Sequence, residues 1–151
     1  MSAYFLDASA LVKRYLPEQG TRWVHTLTQS VTEIVIAQIS PVEIYSALSR
    51  NYHDGKISLP LLQRFRTVMM RHLADRYDVV AVSDSIIQIA LDLQERHRLR
   101  AYDAIQLATA LAVNTRIESA GQTIVFVAAD DRLLAAAHAE GLTTDNPNNY
   151  S

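Results

Sequence analysis

Short apolar runs that stop at an acid or a turn residue, alternating with longer stretches of helical periodicity, constrain this chain more than any other feature. Tyr4-Phe5-Leu6 stops at Asp7, Ile34-Val35-Ile36-Ala37 precedes Ser40-Pro41, and Ile124-Val125-Phe126-Val127 leads to Asp130 and Asp131. Runs this short and continuous suit strands covered on both faces, the pattern of a parallel sheet enclosed by helices. The spacing predicts strands over 4–6, 33–37, 79–82 and 123–128, with a final one over 142–144. Between them apolar positions recur at helical intervals. They predict helices over 8–16, about 19–28, 40 to near Gly55, 60–77, a segment capped by Ser83 or Asp84, 101–117 and 130–140. The expected fold is α/β: a three-layer α/β/α sandwich with a short, mainly parallel central sheet, in one domain over 1–151.

Ser40-Pro41-Val42-Glu43 reads as a helix start, with Ser40 as cap, Pro41 in the first turn and Glu43 completing a capping box. The apolar face of Leu61, Leu62, Phe65, Val68 and Met69 reads as core, with a dimer or partner groove as the alternative.

Composition narrows the function classes. The chain has 151 residues, 49% of them apolar and 20% charged, which is ordinary globular usage. Cysteine is absent, which excludes disulfide scaffolds and cysteine-ligated metal centres. No apolar run approaches the roughly 18–20 residues of a membrane span. The segment 1–6 is too short and uncharged for a secretory signal, so the expected location is the cytoplasm, without membrane association. Fourteen basic residues against sixteen acidic give a net charge of −2, unlike a general nucleic-acid coat protein. Contact with a polyanion must therefore come from a local patch. A glycine-rich phosphate loop is missing, which disfavours NTPases and dinucleotide enzymes. The histidines at 25, 53, 72, 97 and 138 lack His-x-x-x-His spacing, and Asp7-Ala8-Ser9 lacks the second aspartate of an aspartyl-phosphate phosphatase.

In open parallel sheets ligands bind beyond the carboxyl ends of the strands. Asp7 and the Asp130-Asp131 pair lie there, while Glu43 and Asp103 begin helices. Each acid also has an ordinary reading: Glu43 as part of the capping box, Asp103 and Asp130 as first-turn or cap acids, Asp7 as a turn residue. Together they predict one acidic centre. Two carboxylates about 4 Å apart repel by roughly 4 kcal/mol at an effective dielectric near 20, so convergence demands protonation or a cation. An all-oxygen donor set suits Mg²⁺ or Mn²⁺, and such an ion acidifies water and neutralises phosphate charge, the chemistry of phosphodiester hydrolysis. Ser9 is placed to orient Asp7 or an ion-bound water, or else to serve as a helix cap. Arg96, Arg98, Arg100, Lys13 and Arg14 are candidate phosphate contacts, or solvated surface charges.

Four segments carry a family resemblance. Tyr4-Phe-Leu-Asp-Ala-Ser-Ala-Leu-Val-Lys-Arg-Tyr resembles the opening of a PIN domain. Ser40-Pro-Val-Glu-Ile-Tyr-Ser-Ala-Leu resembles its second acidic motif, and Leu99-Arg-Ala-Tyr-Asp-Ala-Ile-Gln-Leu-Ala-Thr-Ala-Leu its third. Phe126-Val-Ala-Ala-Asp-Asp-Arg-Leu-Leu-Ala-Ala-Ala, then Glu140-Gly-Leu, resembles the fourth. The segments come in family order over nearly the whole chain, and the likeness is greatest to VapC-type toxins of type II toxin–antitoxin systems. The resemblance implies a Mg²⁺- or Mn²⁺-dependent endoribonuclease whose metal-binding acids are Asp7, Glu43, Asp103 and Asp130, with Asp131 the other candidate for the fourth. Ala128 stands where relatives often carry Ser or Thr. It also implies an RNA substrate, a homodimer, and a cognate antitoxin in a groove near the active site. The competing readings are a non-catalytic PIN-like module that binds RNA or protein, and a DNA-directed nuclease.

Overall fold

Phe5 and Phe126 stack with ring centroids 5.6 Å apart, directly opposite each other in a parallel strand pair. The computed structural model describes residues 2–30 and 33–151; Met1, which opens the segment read above for a signal, lies outside them. Phe5 belongs to β1 (Ser2–Leu6) and Phe126 to β4 (Thr123–Val127). β2 (Ile34–Ala37) flanks β1 on its other side, and β3 (Asp78–Val80) and β5 (Thr143–Asp145) form the edges, giving the order β3-β2-β1-β4-β5. Every neighbouring pair is parallel. All the strand ends therefore share one edge, and β1 lies at the centre.

The period-two alternation of the strands divides the core. Ala3, Phe5, Val35, Ala37, Ile124 and Phe126 face one helical layer. That layer holds α5 (Asp84–Arg96), α6 (Ala101–Glu118) and α7 (Asp131–Ala139). Leu6, Ile34, Ile36 and Val127 face the other. There lie α1 (Ala8–Leu11), α2 (Thr21–Gln29), α3 (Ser40–His53) and α4 (Leu59–Asp75). The three-layer sandwich thus follows from burying both faces of one sheet. α6 is the innermost helix, with Ala104, Leu107, Ala108, Ala110 and Val113 all buried.

Helix ends follow local chemistry. Ser58 caps α4 by accepting from the Leu61 N–H, and Ser83, rather than Asp84, caps α5 through the Ile86 N–H. The first helix departs from expectation. It ends at Leu11 and tightens into a 3-10 turn over Val12–Arg14. Lys13 turns inward to pair with Glu18, and the Tyr15 hydroxyl bonds those of Tyr77 and His72 Nδ1. On α4, Leu62 and Met69 are core while Leu61 is exposed, so the face read as core is core along only part of its width.

Candidate active site

Asp7 follows the last residue of the central strand. Its N–H donates to Val127 O at 3.0 Å, which fixes the β1 exit level with the β4 exit. Its carboxylate caps α1 by accepting from the Ala10 N–H at 3.0 Å. Ser9 Oγ donates to the same carboxylate, 2.7 Å from Oδ1 and 2.9 Å from Oδ2, and accepts from the Ala129 N–H at 2.9 Å. Ser9 is therefore not the cap; it latches Asp7 to the loop after β4. Asp7 is only 2% exposed, and burial pushes its pKa up to about 7. The charges of Asp103 and Glu43 push the same way, against the Ser9 and Ala10 hydrogen bonds.

The capping box at Ser40 does not form. Ile39 already has helical backbone angles at the N-cap position, so Ser40 lies inside the helix and makes no cap bond. Its Oγ instead accepts from Gln106 Nε2 at 2.9 Å, and Glu43 Oε1 accepts from the same nitrogen at 2.8 Å. Pro41 keeps its expected place in the first turn. Gln106, 1% exposed, thus ties α3 to α6, while its own Oε1 is buried without a partner among the described residues. An orphaned buried acceptor costs about 1–3 kcal/mol. Burial, and then the charge of Asp103, raise the pKa of Glu43, opposed by the Gln106 donor.

Asp103 is in the first turn of α6 and half-buried. Burial and then Asp130 raise its pKa, while Arg100 holds it down. A cleft of about 350 Å³ joins Asp103 and Asp130 to Arg98, Arg100 and Arg132. Asp130 is exposed and caps α7, its Oδ1 accepting from the Arg132 and Leu133 N–H groups at 2.9 and 3.3 Å. Asp131 is turned to Asn146, whose Nδ2 donates to it at 3.0 Å. Of the two, Asp130 lines the cleft.

The other basic candidates separate. Arg96 binds Glu140 through Nε and Nη2 at 3.1 and 2.9 Å, and His97 reaches the same carboxylate at 2.6 Å. Lys13 is buried on Glu18. Arg14 donates to the Tyr77 hydroxyl at 2.6 Å and lines a different cleft with His25, Leu61, Phe65 and His72. Arg132 and Gln106 were missed by the sequence reading. Arg132 had a signal, since it falls two residues after Asp130 at a helix start. Gln106 had none beyond a polar residue on an otherwise apolar helix.

Asp7, Glu43 and Asp103 thus influence one another across three elements, and among the described residues none of them forms a salt bridge. Their chemistry, all oxygen and all anionic, with an orphaned amide oxygen alongside, fits a hard divalent cation. Among the described residues, however, no three acidic or histidine side chains are already gathered tightly enough to grip an ion.

The chain belongs to the PIN domain family, whose profile matches residues 4–139. Solved structures share the fold. VapBC2 from Rickettsia felis bound to a promoter DNA fragment is 14% identical, with 97% of this chain and 98% of that one covered and a TM-score of 0.65. DNA-bound VapBC from Salmonella typhimurium is 15% identical, with 97% and 99% covered and a TM-score of 0.65. Mycobacterium tuberculosis VapC20, a sarcin-ricin loop cleaving toxin, is 15% identical, with 89% and 95% covered and a TM-score of 0.62. The comparison with curated proteins returns no match. Among the described residues no helix is long and apolar enough to cross a membrane.

Proposed function

We propose that this chain is a Mg²⁺- or Mn²⁺-dependent endoribonuclease, the toxin of a type II toxin–antitoxin pair, acting as a cytoplasmic homodimer and restrained by a cognate antitoxin. One observation carries the reading. Burial pushes Asp7, Glu43 and Asp103 toward protonation, the charge of Asp103 adds to this at both Asp7 and Glu43, and among the described residues no basic side chain forms a salt bridge with any of the three. The family supports a nuclease, and structural neighbours that are toxin–antitoxin complexes support the antitoxin.

Asp7, Glu43 and Asp103 would hold the ion, with Asp130 as the fourth acid. When bound, the ion supplies positive charge against phosphate and acidifies water for attack on phosphorus. Ser9 and the Ala10 N–H keep Asp7 oriented, and Gln106 does the same for Glu43. Arg98, Arg100 and Arg132 bind the flanking phosphates and hold the scissile one in line with the attacking water. Asp130 uses one oxygen as a cap, leaving Oδ2 to accept a proton.

The test is cleavage of an RNA oligonucleotide with Mn²⁺, with Mg²⁺ and with chelator. Cleavage should require the ion, and Asp103→Asn should lower it at least about 100-fold while circular dichroism stays unchanged. Equal cleavage by Asp103→Asn would remove this centre from the reaction. Faster cutting of the matched DNA would change the substrate.

A further inference from the structure

The segment 97–100 joins α5 to α6 and carries Arg98 and Arg100 into the acidic cleft. Its two ends are extended, His97 at φ −133°, ψ 149° and Arg100 at φ −68°, ψ 158°. Successive side chains on an extended chain point to opposite sides. His97 and Leu99 are accordingly half-buried, and Arg98 and Arg100 exposed. Leu99 packs against the core that contains Leu133 and Ala136 of α7. The backbone hydrogen bonds of the segment are local, from the His97 N–H to Leu93 O at 2.8 Å and from the Leu99 N–H to His97 O at 3.0 Å. Among the described residues, the side-chain hydrogen bonds that tie this end of α5 to α7 converge on Glu140, which caps the end of α7. Arg96 offers one edge of its guanidinium to both carboxylate oxygens, and the His97 ring meets one of them. These bonds, that of Arg96 ahead of that of His97, hold the Glu140 carboxyl below its usual range.

Glu140 does not line the acidic cleft, whereas Arg98, Leu99 and Arg132 line both that cleft and a neighbouring one of about 510 Å³ beside Arg96 and His97. Any effect of Glu140 on the cleft therefore passes through the segment it holds. A carboxylate joined to a guanidinium edge and a second ring is a fixed, charge-assisted contact, unlike an isolated surface pair. We propose that Glu140 is a positioning residue: its clasp on His97 and Arg96 fixes the extended segment so that Arg98 and Arg100 meet the substrate phosphates. This rests on the ribonuclease reading above and adds a residue that governs substrate binding from outside the acidic centre. Charge alone predicts the opposite sign. Deleting an anion near the path of a polyanion, and freeing Arg96, would tighten RNA binding. Loss of the clasp loosens the arginines and weakens it. Misplacing a binding group by about 1 Å costs on the order of 100-fold, and phosphate contacts made equally in ground and transition states are read in KM and not in kcat.

The test combines cleavage kinetics on an RNA oligonucleotide, RNA affinity in an Asp103→Asn parent, and amide hydrogen exchange across 97–100. Glu140→Ala should raise KM about 10- to 100-fold with kcat within about twofold of wild type. It should weaken RNA binding by the parent to the same extent and speed exchange at the His97 and Leu99 amides. Glu140→Gln keeps an acceptor for the His97 ring without the charge, and should stay close to wild type in all three. His97→Ala should reproduce the rise in KM, and adding it to Glu140→Ala should change little, because the two act as one unit. A KM that falls or stays unchanged in Glu140→Ala overturns the proposal, as does an equal rise in Glu140→Gln. Faster exchange with KM and affinity unaltered would confine Glu140 to stability and overturn its positioning role. If the wild type cuts RNA, those failures fall on the clasp alone. If the wild type neither cuts nor binds RNA while exchange still answers to Glu140→Ala, the ribonuclease reading falls, and the role in substrate binding with it.

Discussion

Asp7 shows how one side chain links stability to chemistry. In the folded protein burial lifts its pKa to about 7, from 3.8 in an exposed carboxylate. Below about pH 4 both folded and unfolded chains hold the proton, and the folded state has the full benefit. As pH rises from about 4 to 7 the unfolded chain releases its proton first, so stability falls, by up to ~1.4 kcal/mol per pH unit and ~4 kcal/mol in all. In ion-free protein, Asp7→Asn should therefore be more stable than wild type at pH 8, with the difference shrinking to near zero below pH 4; urea unfolding in chelator across that range measures it. A difference independent of pH would show that Asp7 is not the strained group. Adding Mg²⁺ should raise the stability of wild type and leave Asp7→Asn nearly unchanged, because an ion that binds only the folded state stabilises it.

At the scale of elements, the junction of α2 with the C-terminal segment offers a clean test. Gly20 starts α2 at φ +85°, and a Cβ there would lie 2.3 Å from the Pro147 carbonyl oxygen. Gly20→Ala combines left-handed strain with a backbone clash and should destabilise by ~2 kcal/mol or more; an unchanged melting temperature would show that the two segments do not meet. Strand positions could be read from the sequence because each apolar run is bounded by polar or turn residues, and the observed strands fall within one or two residues of expectation. Strand order could not, since pairing β1 with β4 joins Phe5 to Phe126 with no local signal. The Ser40–Glu43 spacing is the same whether Ser40 caps the helix or sits inside it. Gln106, 66 residues from Ser40 and 63 from Glu43, is the donor both side chains meet. For Asp130 the cap and the cleft position prove compatible, because a carboxylate has two oxygens. That the charge of Asp103 reaches Asp7 and Glu43 was foreshadowed by their strand-end and helix-start positions, whereas the sorting of the arginines depended on where Glu140 and Tyr77 lie.

For the molecule as a whole, a net charge of −2 leaves no general attraction for a polyanion, so the RNA binding proposed above would rest on the local cluster of Arg98, Arg100 and Arg132. On single-stranded RNA each neutralised phosphate contributes a slope of about −0.7 to log K against log salt. Arg100→Ala and Arg132→Ala should each flatten the slope by about 0.7, whereas Arg96→Ala should leave it unaltered because Glu140 already holds that guanidinium. A titration in which Arg96→Ala alone flattens the slope would move the phosphate path to the adjoining cleft lined by Arg96 and His97. The central place of β1 also has a consequence in time. The ribosome makes Asp7 long before the strand that pairs with β1 on one side, which ends at Val127 and is followed by Asp130. A nascent chain therefore carries Asp7 without its neighbouring strand and without the Ser9–Ala129 latch until β4 and the loop after it have emerged.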